Sequence, residues 1–188
     1  MEWIDVILEE YKTLRAETSQ AMNNQHSILQ VGTASVGVLI TAGFGLWSSQ
    51  ALIAIVIFLF FAPAICYLSL VIWIGEVGRM MKAGKYVAEI ETRVSNHLNT
   101  DKVLNWENWL RTVKSNGKTP QMKWNYKAII ILFFLIAGSC LAMGINKIVQ
   151  AHKDFNFFLA CLIVSISIIL FITIFFYIKY LATQIENS

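Results

Sequence analysis

Four stretches of this chain, residues 28–47, 51–74, 128–148 and 155–178, are long apolar runs almost free of ionisable side chains. A bilayer core about 30 Å thick is crossed by roughly 20 helical residues at about 1.5 Å each. Each run meets that length, and Lys147, at the end of the third, is the only Asp, Glu, Lys or Arg among them. The runs are continuous rather than alternating, which selects helices over barrel strands. Composition agrees, with 56% hydrophobic and 14% charged residues, against about 45–50% and about 25% in soluble domains. The expected fold is all-α, an integral membrane protein with four transmembrane helices and a small cytoplasmic helical layer.

Ser48-Ser49-Gln50 is all that separates the first two runs, so they are expected to form a tight antiparallel hairpin; residues 149–154 make the second short turn. Lys and Arg set the orientation. Thirteen fall before the first run, between the second and third, or after the fourth, and two, Lys147 and Lys153, fall on the other side. The N-terminus, central segment and C-terminus are therefore expected in the cytoplasm. Residues 1–27 are polar and acidic, so the first run is expected to serve as its own insertion signal. Trp47 marks the outer interface, and Trp73, Trp124, Tyr126, Tyr177 and Tyr180 the inner one.

The organisation that follows is a cytoplasmic amphipathic helix (1–27), a transmembrane hairpin (28–75), a cytoplasmic helical segment (76–127), a second hairpin (128–178) and a tail (179–188). In the first of these, Ile4, Ile7, Tyr11, Leu14, Thr18, Ala21, Gln25 and Ile28 recur at alternating spacings of three and four, a heptad seam. Such a seam packs either on the chain's own central segment or on another copy or partner. Residues 76–98 are expected to prolong the second span, with Val77, Met81, Gly84, Val87, Ile90, Val94 and Leu98 along one side. Asn99 and Thr100 are candidate caps for a further helix over 101–113, whose stripe includes Trp106 and Trp109. Residues 115–120 read as a turn.

Chemistry-bearing patterns are scarce. His26, His97 and His152 have no second ligand at metal spacing, and Cys66, Cys140 and Cys161 sit in apolar runs as packing residues. No phosphate loop, nucleophile elbow or kinase signature is present. Glu89 and Glu91, near Tyr86 and Arg93, read as a mixed-charge helix face. No catalytic, metal or cofactor site is expected, and the chain is read as no enzyme. Ten basic residues in the central segment are interleaved with Glu76, Glu89, Glu91, Asp101 and Glu107, so topology and lipid contact explain them better than nucleic acid. The absence of ionisable groups within the runs speaks against a proton-coupled carrier.

Two features inside the runs invite function. Thr33, Gly37, Thr41 and Gly45 recur every fourth residue, a small-residue ridge along which two helix backbones approach closely. It serves packing within one chain, a subunit contact or a pore lining. Pro63, midway through the second run, removes one backbone donor and is expected to kink that helix.

The stretch Glu10-Tyr11-Lys12-Thr13-Leu14-Arg15-Ala16-Glu17 precedes a small-residue span. Further on come Ile74-Gly75, Gly84-Lys85-Tyr86-Val87, Glu91 and Trp106-Glu107. Over residues 10–110 this resembles small, poorly characterised bacterial four-helix integral membrane proteins, some of them similar to membrane effectors of anti-phage defence systems. The resemblance implies a multi-pass protein of the bacterial inner membrane that oligomerises or opens when a cytoplasmic sensor triggers it. The function expected is thus a non-enzymatic homo-oligomeric effector, gated or pore-forming, contacting the lipid bilayer and a cytoplasmic partner through Ile4, Ile7, Tyr11, Leu14, Trp106 and Trp109. The alternative is a membrane anchor that recruits a soluble protein.

Overall fold

The computed structural model describes residues 3–99 and 120–150, together with 165–166, 168–169, 172–180 and 183. Side chains are described from Asn125 onward in the second of these stretches. Among the described residues there is no strand. Helix α1 spans Trp3–Gly45 and α2 spans Ala51–Val56; a π-helical turn covers Ile57–Phe61, α3 spans Ala62–Leu98, and α4 spans Pro120–Gln150. Residues 172–180 are also helical.

Three helical stretches are long and apolar enough to cross a membrane: Trp3–Gly45, Ala51–Leu98 and Asn125–Gln150. The fourth apolar run lies only partly within the described residues, as does the second turn. The expected helix over 101–113, with Trp106 and Trp109, lies outside them.

The helices overshoot the apolar runs. α1 is 43 residues long, about 65 Å at about 1.5 Å per residue, more than twice the hydrocarbon thickness. Nothing between Gln25 and Gly32 interrupts it, because the heptad seam passes into the span without a break. α3 likewise runs on past Ile74 to Leu98 and stops where Asn99 takes a left-handed conformation, φ 50°, ψ 40°, its N–H donating to the Ser95 carbonyl. Asn99 therefore terminates α3, a common way to satisfy a last-turn carbonyl; the helix it was expected to cap lies outside the described residues. Pro120 opens α4 at the position where a missing N–H is harmless, so this helix begins inside the expected turn.

α1 and the α2–α3 unit form one antiparallel hairpin. The turn is closed by Trp47 N–H to the Phe44 carbonyl (3.1 Å) and Gln50 N–H to the Leu46 carbonyl (3.0 Å). From there a zip of contacts runs to the far end: Gly43 against Phe58, Gly32 against Ser69, Gln25 Nε2 to Met80 Sδ (3.7 Å), Tyr11 to Glu91, and Trp3 tilted at 46° against His97 with centroids 4.5 Å apart. Every step up one helix is matched by a step down the other. The expected seam is the face that meets α3: Ala21 is buried and Ile4, Ile7, Tyr11, Leu14, Thr18, Gln25 and Ile28 are half-buried. It continues through Gly32, Ser35, Leu39 and Gly43.

The two halves of the hairpin are held by different physics. In the polar half, water drives the apolar seam together, each fully buried Leu, Ile or Val contributing about 1.5–3 kcal/mol. The ion pairs Glu9–Lys12 and Glu89–Arg93 lie on exposed faces and are screened, so the seam does the holding. In a bilayer, the lipid around the apolar half would be as apolar as the seam, so close fit decides there instead. There a core gathers Val36, Cys66, Leu70, Trp73, Phe133, Ala137 and Ile178, which brings α4 and the helical residues 172–180 against the hairpin. Phe134 and Phe175 meet edge to face at 5.2 Å.

Candidate functional site

The small-residue ridge lies on the side of α1 turned away from α3. Thr33, Gly37, Thr41 and Gly45 are all exposed. Among the described residues nothing approaches within 4 Å of a Cβ built on Gly37 or Gly45. The hydroxyls are satisfied by their own helix. Thr33 donates to the carbonyls of Leu29 (2.7 Å) and Gln30 (3.1 Å), and Thr41 donates to that of Gly37 (2.9 Å). The ridge therefore presents a shallow, hydrogen-bond-neutral surface on which another backbone can rest at no polar cost.

The close approaches inside the chain use other glycines. A Cβ on Gly32 would stand 2.5 Å from Ser69 Oγ, and one on Gly43 would stand 2.6 Å from a Phe58 ring carbon. Gly32 lies on the prolonged heptad seam, and that continuation was the signal available in the sequence; Gly43 falls one residue off the strict repeat, which passes through Ala42.

Pro63 sits in the first turn of α3, immediately after the π turn. The Ala62 N–H donates to the Ile57 carbonyl, five residues back rather than four. The disturbance expected from Pro63 thus takes the form of a shift in helical register upstream, which leaves the proline where its missing donor is tolerated. The π turn pushes Leu59 into α4 at Gly144, where an added Cβ would meet Leu59 Cγ at 2.6 Å. Beside it lies an apolar cavity of about 130 Å³, bounded by Leu59, Phe60, Pro63, Tyr67, Leu141 and Ile174, among others. At the turn end of the hairpin Lys147 Nζ stands 4.8 Å from the centre of the Trp47 ring, which in turn packs edge-on against Phe58.

At the polar end the hairpin carries a network of phenols and carboxylates. The Tyr11 hydroxyl donates to Glu91 Oε1 (3.4 Å), and Arg15 Nε donates to the Tyr11 oxygen (3.3 Å). Glu91 is 0% exposed; it belongs to the α3 seam between Val87 and Val94, not to the mixed-charge outer face where spacing to its neighbours placed it. Glu89 is on that face, paired with Arg93 at 2.6 Å. The exposed Tyr86 hydroxyl donates to Glu10 Oε1 (3.1 Å), and this hydrogen bond holds its phenol above the usual tyrosine range. Ile4, Ile7, Tyr11 and Leu14, offered by the sequence for docking a partner, are turned toward α3 of the same chain. Among the described residues no cluster of three or more His, Cys, Asp or Glu is arranged to hold a metal ion. No family model, no curated protein and no solved structure matches this chain.

Proposed function

We propose that this chain is a non-enzymatic, homo-oligomeric protein of a bacterial inner membrane, crossing it four times with both termini in the cytoplasm. In this reading the α1 ridge is its subunit contact and the polar half of the hairpin its control arm. One observation carries the reading. Of the three membrane-length stretches, α1 has the lowest mean hydropathy, 1.6 against 2.7 and 2.6, and 17% of its most apolar part is buried by the rest of the chain, close to the 22% of Asn125–Gln150 and well below the 50% of Ala51–Leu98. A span that is both less apolar and less covered is poorly matched to lipid. Its open face, with Gln30, Thr33, Gly37 and Thr41, is better matched to another protein backbone or to a water-filled path.

Several α1 helices gathered on their ridges would line such a path with small, weakly polar side chains. A signal at the polar arm would open it and dissipate the ion gradient, the action of a membrane-depolarising effector in anti-phage defence.

The test combines assembly with membrane potential. The purified protein should migrate as a multiple of 21.3 kDa in mild detergent, and cells expressing it with its neighbouring genes should depolarise when triggered by phage, as read with a voltage-sensitive dye. Gly37→Leu with Gly45→Leu should abolish both while leaving the protein in the membrane. A monomeric protein that leaves the potential unchanged sinks the proposal and favours a membrane anchor for a soluble partner.

A further inference from the structure

The Phe58 carbonyl, in the apolar half of the hairpin, has no donor at α or π spacing in its own helix. Its oxygen could accept from the N–H of Ala62 in α geometry, or from position 63 in π geometry. The Ala62 N–H donates to the Ile57 carbonyl instead, and Pro63 has none to give. Phe58 is 0% exposed, and a main-chain oxygen buried without a partner costs about as much as a lost hydrogen bond.

Straightening the π turn into α geometry does not cure this. The Ala62 N–H would then serve Phe58, but Leu59 would look to position 63, and the proline ring would press on the Leu59 carbonyl. Pro63 therefore leaves a carbonyl of this turn unpaired in either register. The α register has the intrinsically commoner geometry and the π register spares the ring clash, so the two effects oppose each other and side-chain packing decides.

The packing has provision for both. Leu59 lies so close to α4 that a Cβ at Gly144 would meet its Cγ at 2.6 Å and its main-chain nitrogen at 3.4 Å, a fit that belongs to the π register. Beside the same turn is the cavity of about 130 Å³, bounded by Leu59, Phe60, Pro63, Leu141 and Ile174 among others. Protein interiors are close-packed, with few voids larger than a water molecule. A void next to the side chains that a change of register must displace is room for that change.

We infer that residues 57–61 are a hinge with two registers: the π register described above, and an α register in which Leu59 leaves Gly144 and the cavity takes up the displaced side chains. The difference amounts to one residue, so α2 turns by about 100° relative to α3, and a side-chain end about 5 Å from the helix axis moves by about 8 Å. The hinge belongs to the single chain and holds whether or not copies assemble on the α1 ridge.

Distances between paired spin labels test this in lipid nanodiscs, on the full-length protein in a cysteine-free background diluted with unlabelled chains, so that only distances within one chain are read. Leu52→Cys with Val149→Cys, both at exposed positions, reports across the hinge; Leu68→Cys with Leu135→Cys, also exposed, joins α3 to α4 beyond it. The first pair should show two distances about 5 Å or more apart, and the second pair one. Pro63→Ala supplies the missing N–H and removes the ring, so the first pair should keep only one of its two distances. Ala64→Leu, which fills the cavity from an exposed position, should keep only the other. A single distance for the first pair in the wild-type chain overturns the inference. So does either substitution leaving both distances in place, or both substitutions selecting the same one. The wild-type chain and Ala64→Leu decide even where Pro63→Ala is not recovered from the membrane. Two distances in the second pair also overturn it, because α3 and α4 would then shift as bodies and not at the turn.

Discussion

A methyl group added at Gly32 would lie 2.5 Å from Ser69 Oγ and 2.9 Å from its Cβ, whereas one at Gly37 would meet no described atom within 4 Å. The two positions make a clean comparison of packing within the chain against packing between chains. Gly32→Val should destabilise the detergent-solubilised protein by about 1–3 kcal/mol, the usual cost of overfilling a tight contact. Gly37→Val should leave that unfolding free energy within about 0.5 kcal/mol, as exposed substitutions do, when both variants are compared in a detergent harsh enough to keep the protein monomeric, so that lost assembly does not enter. Chemical unfolding followed by circular dichroism reads both, and equal losses would mean that the ridge packs inside the fold. Spacing by four pointed to Gly37 and Gly45 because it detects a smooth helix face, but it cannot say which face the neighbouring helix takes. The heptad seam settles that. Carried four residues past Ile28 it arrives at Gly32, and on α3 the same pattern through Gly84 and Val87 arrives at Glu91. The residue type had suggested solvent for Glu91; the register puts it inside.

Helix length was the part of the architecture that hydropathy alone under-read. Apolar content ends near Ile74 and starts near Ala128, but α3 persists to Leu98 and α4 begins at Pro120. A hydropathy window detects the stretch a bilayer can hold, whereas a helix ends only at a breaker or a cap such as Asn99. The seam was legible as a packed face: alternation of three and four named the side of α1 that meets α3, but not whether the chain itself or a partner would cover it. The π turn was not, because it depends on Leu59 settling against Gly144, a contact some 85 positions apart that Pro63 only hints at. The hairpin register gives an expectation at this scale. Since Trp3 meets His97 and Tyr11 meets Glu91, Ile7→Cys and Val94→Cys should join into an intramolecular disulfide under mild oxidation. Ile7→Cys with Gly84→Cys, about two to three helical turns out of register, should not. A gel-shift assay distinguishes the two, and crosslinking of the second pair would contradict the antiparallel zip.

Across the whole molecule, the uneven distribution of Lys and Arg and the hairpin geometry make a joint statement. The turn near Ser48 and the tip near Asn99 lie at opposite ends of one rod, so the proposed topology puts them on opposite sides of the membrane. In a background without the native cysteines, a membrane-impermeant maleimide added to intact spheroplasts should label Ser48→Cys. The same reagent should spare Asn96→Cys, at an exposed position near the tip, until the cells are lysed. The reverse pattern would invert the topology expected from the positive charges. What the sequence held least of was purpose, because no side-chain constellation in it is tied to one chemistry; the apolar runs, the seam and the ridge are architectural signals. The length of the hairpin nevertheless has a mechanical consequence. In the proposed topology about 25 residues of each arm extend past the hydrocarbon, roughly 35 Å of continuous helix, so a change of about ten degrees in the tilt of the spans would carry the tip sideways by about 6 Å. Tilt is how a long span accommodates a thinner or thicker bilayer. In the proposed topology, the thickness of the surrounding membrane would therefore set the position of Trp3 and His97.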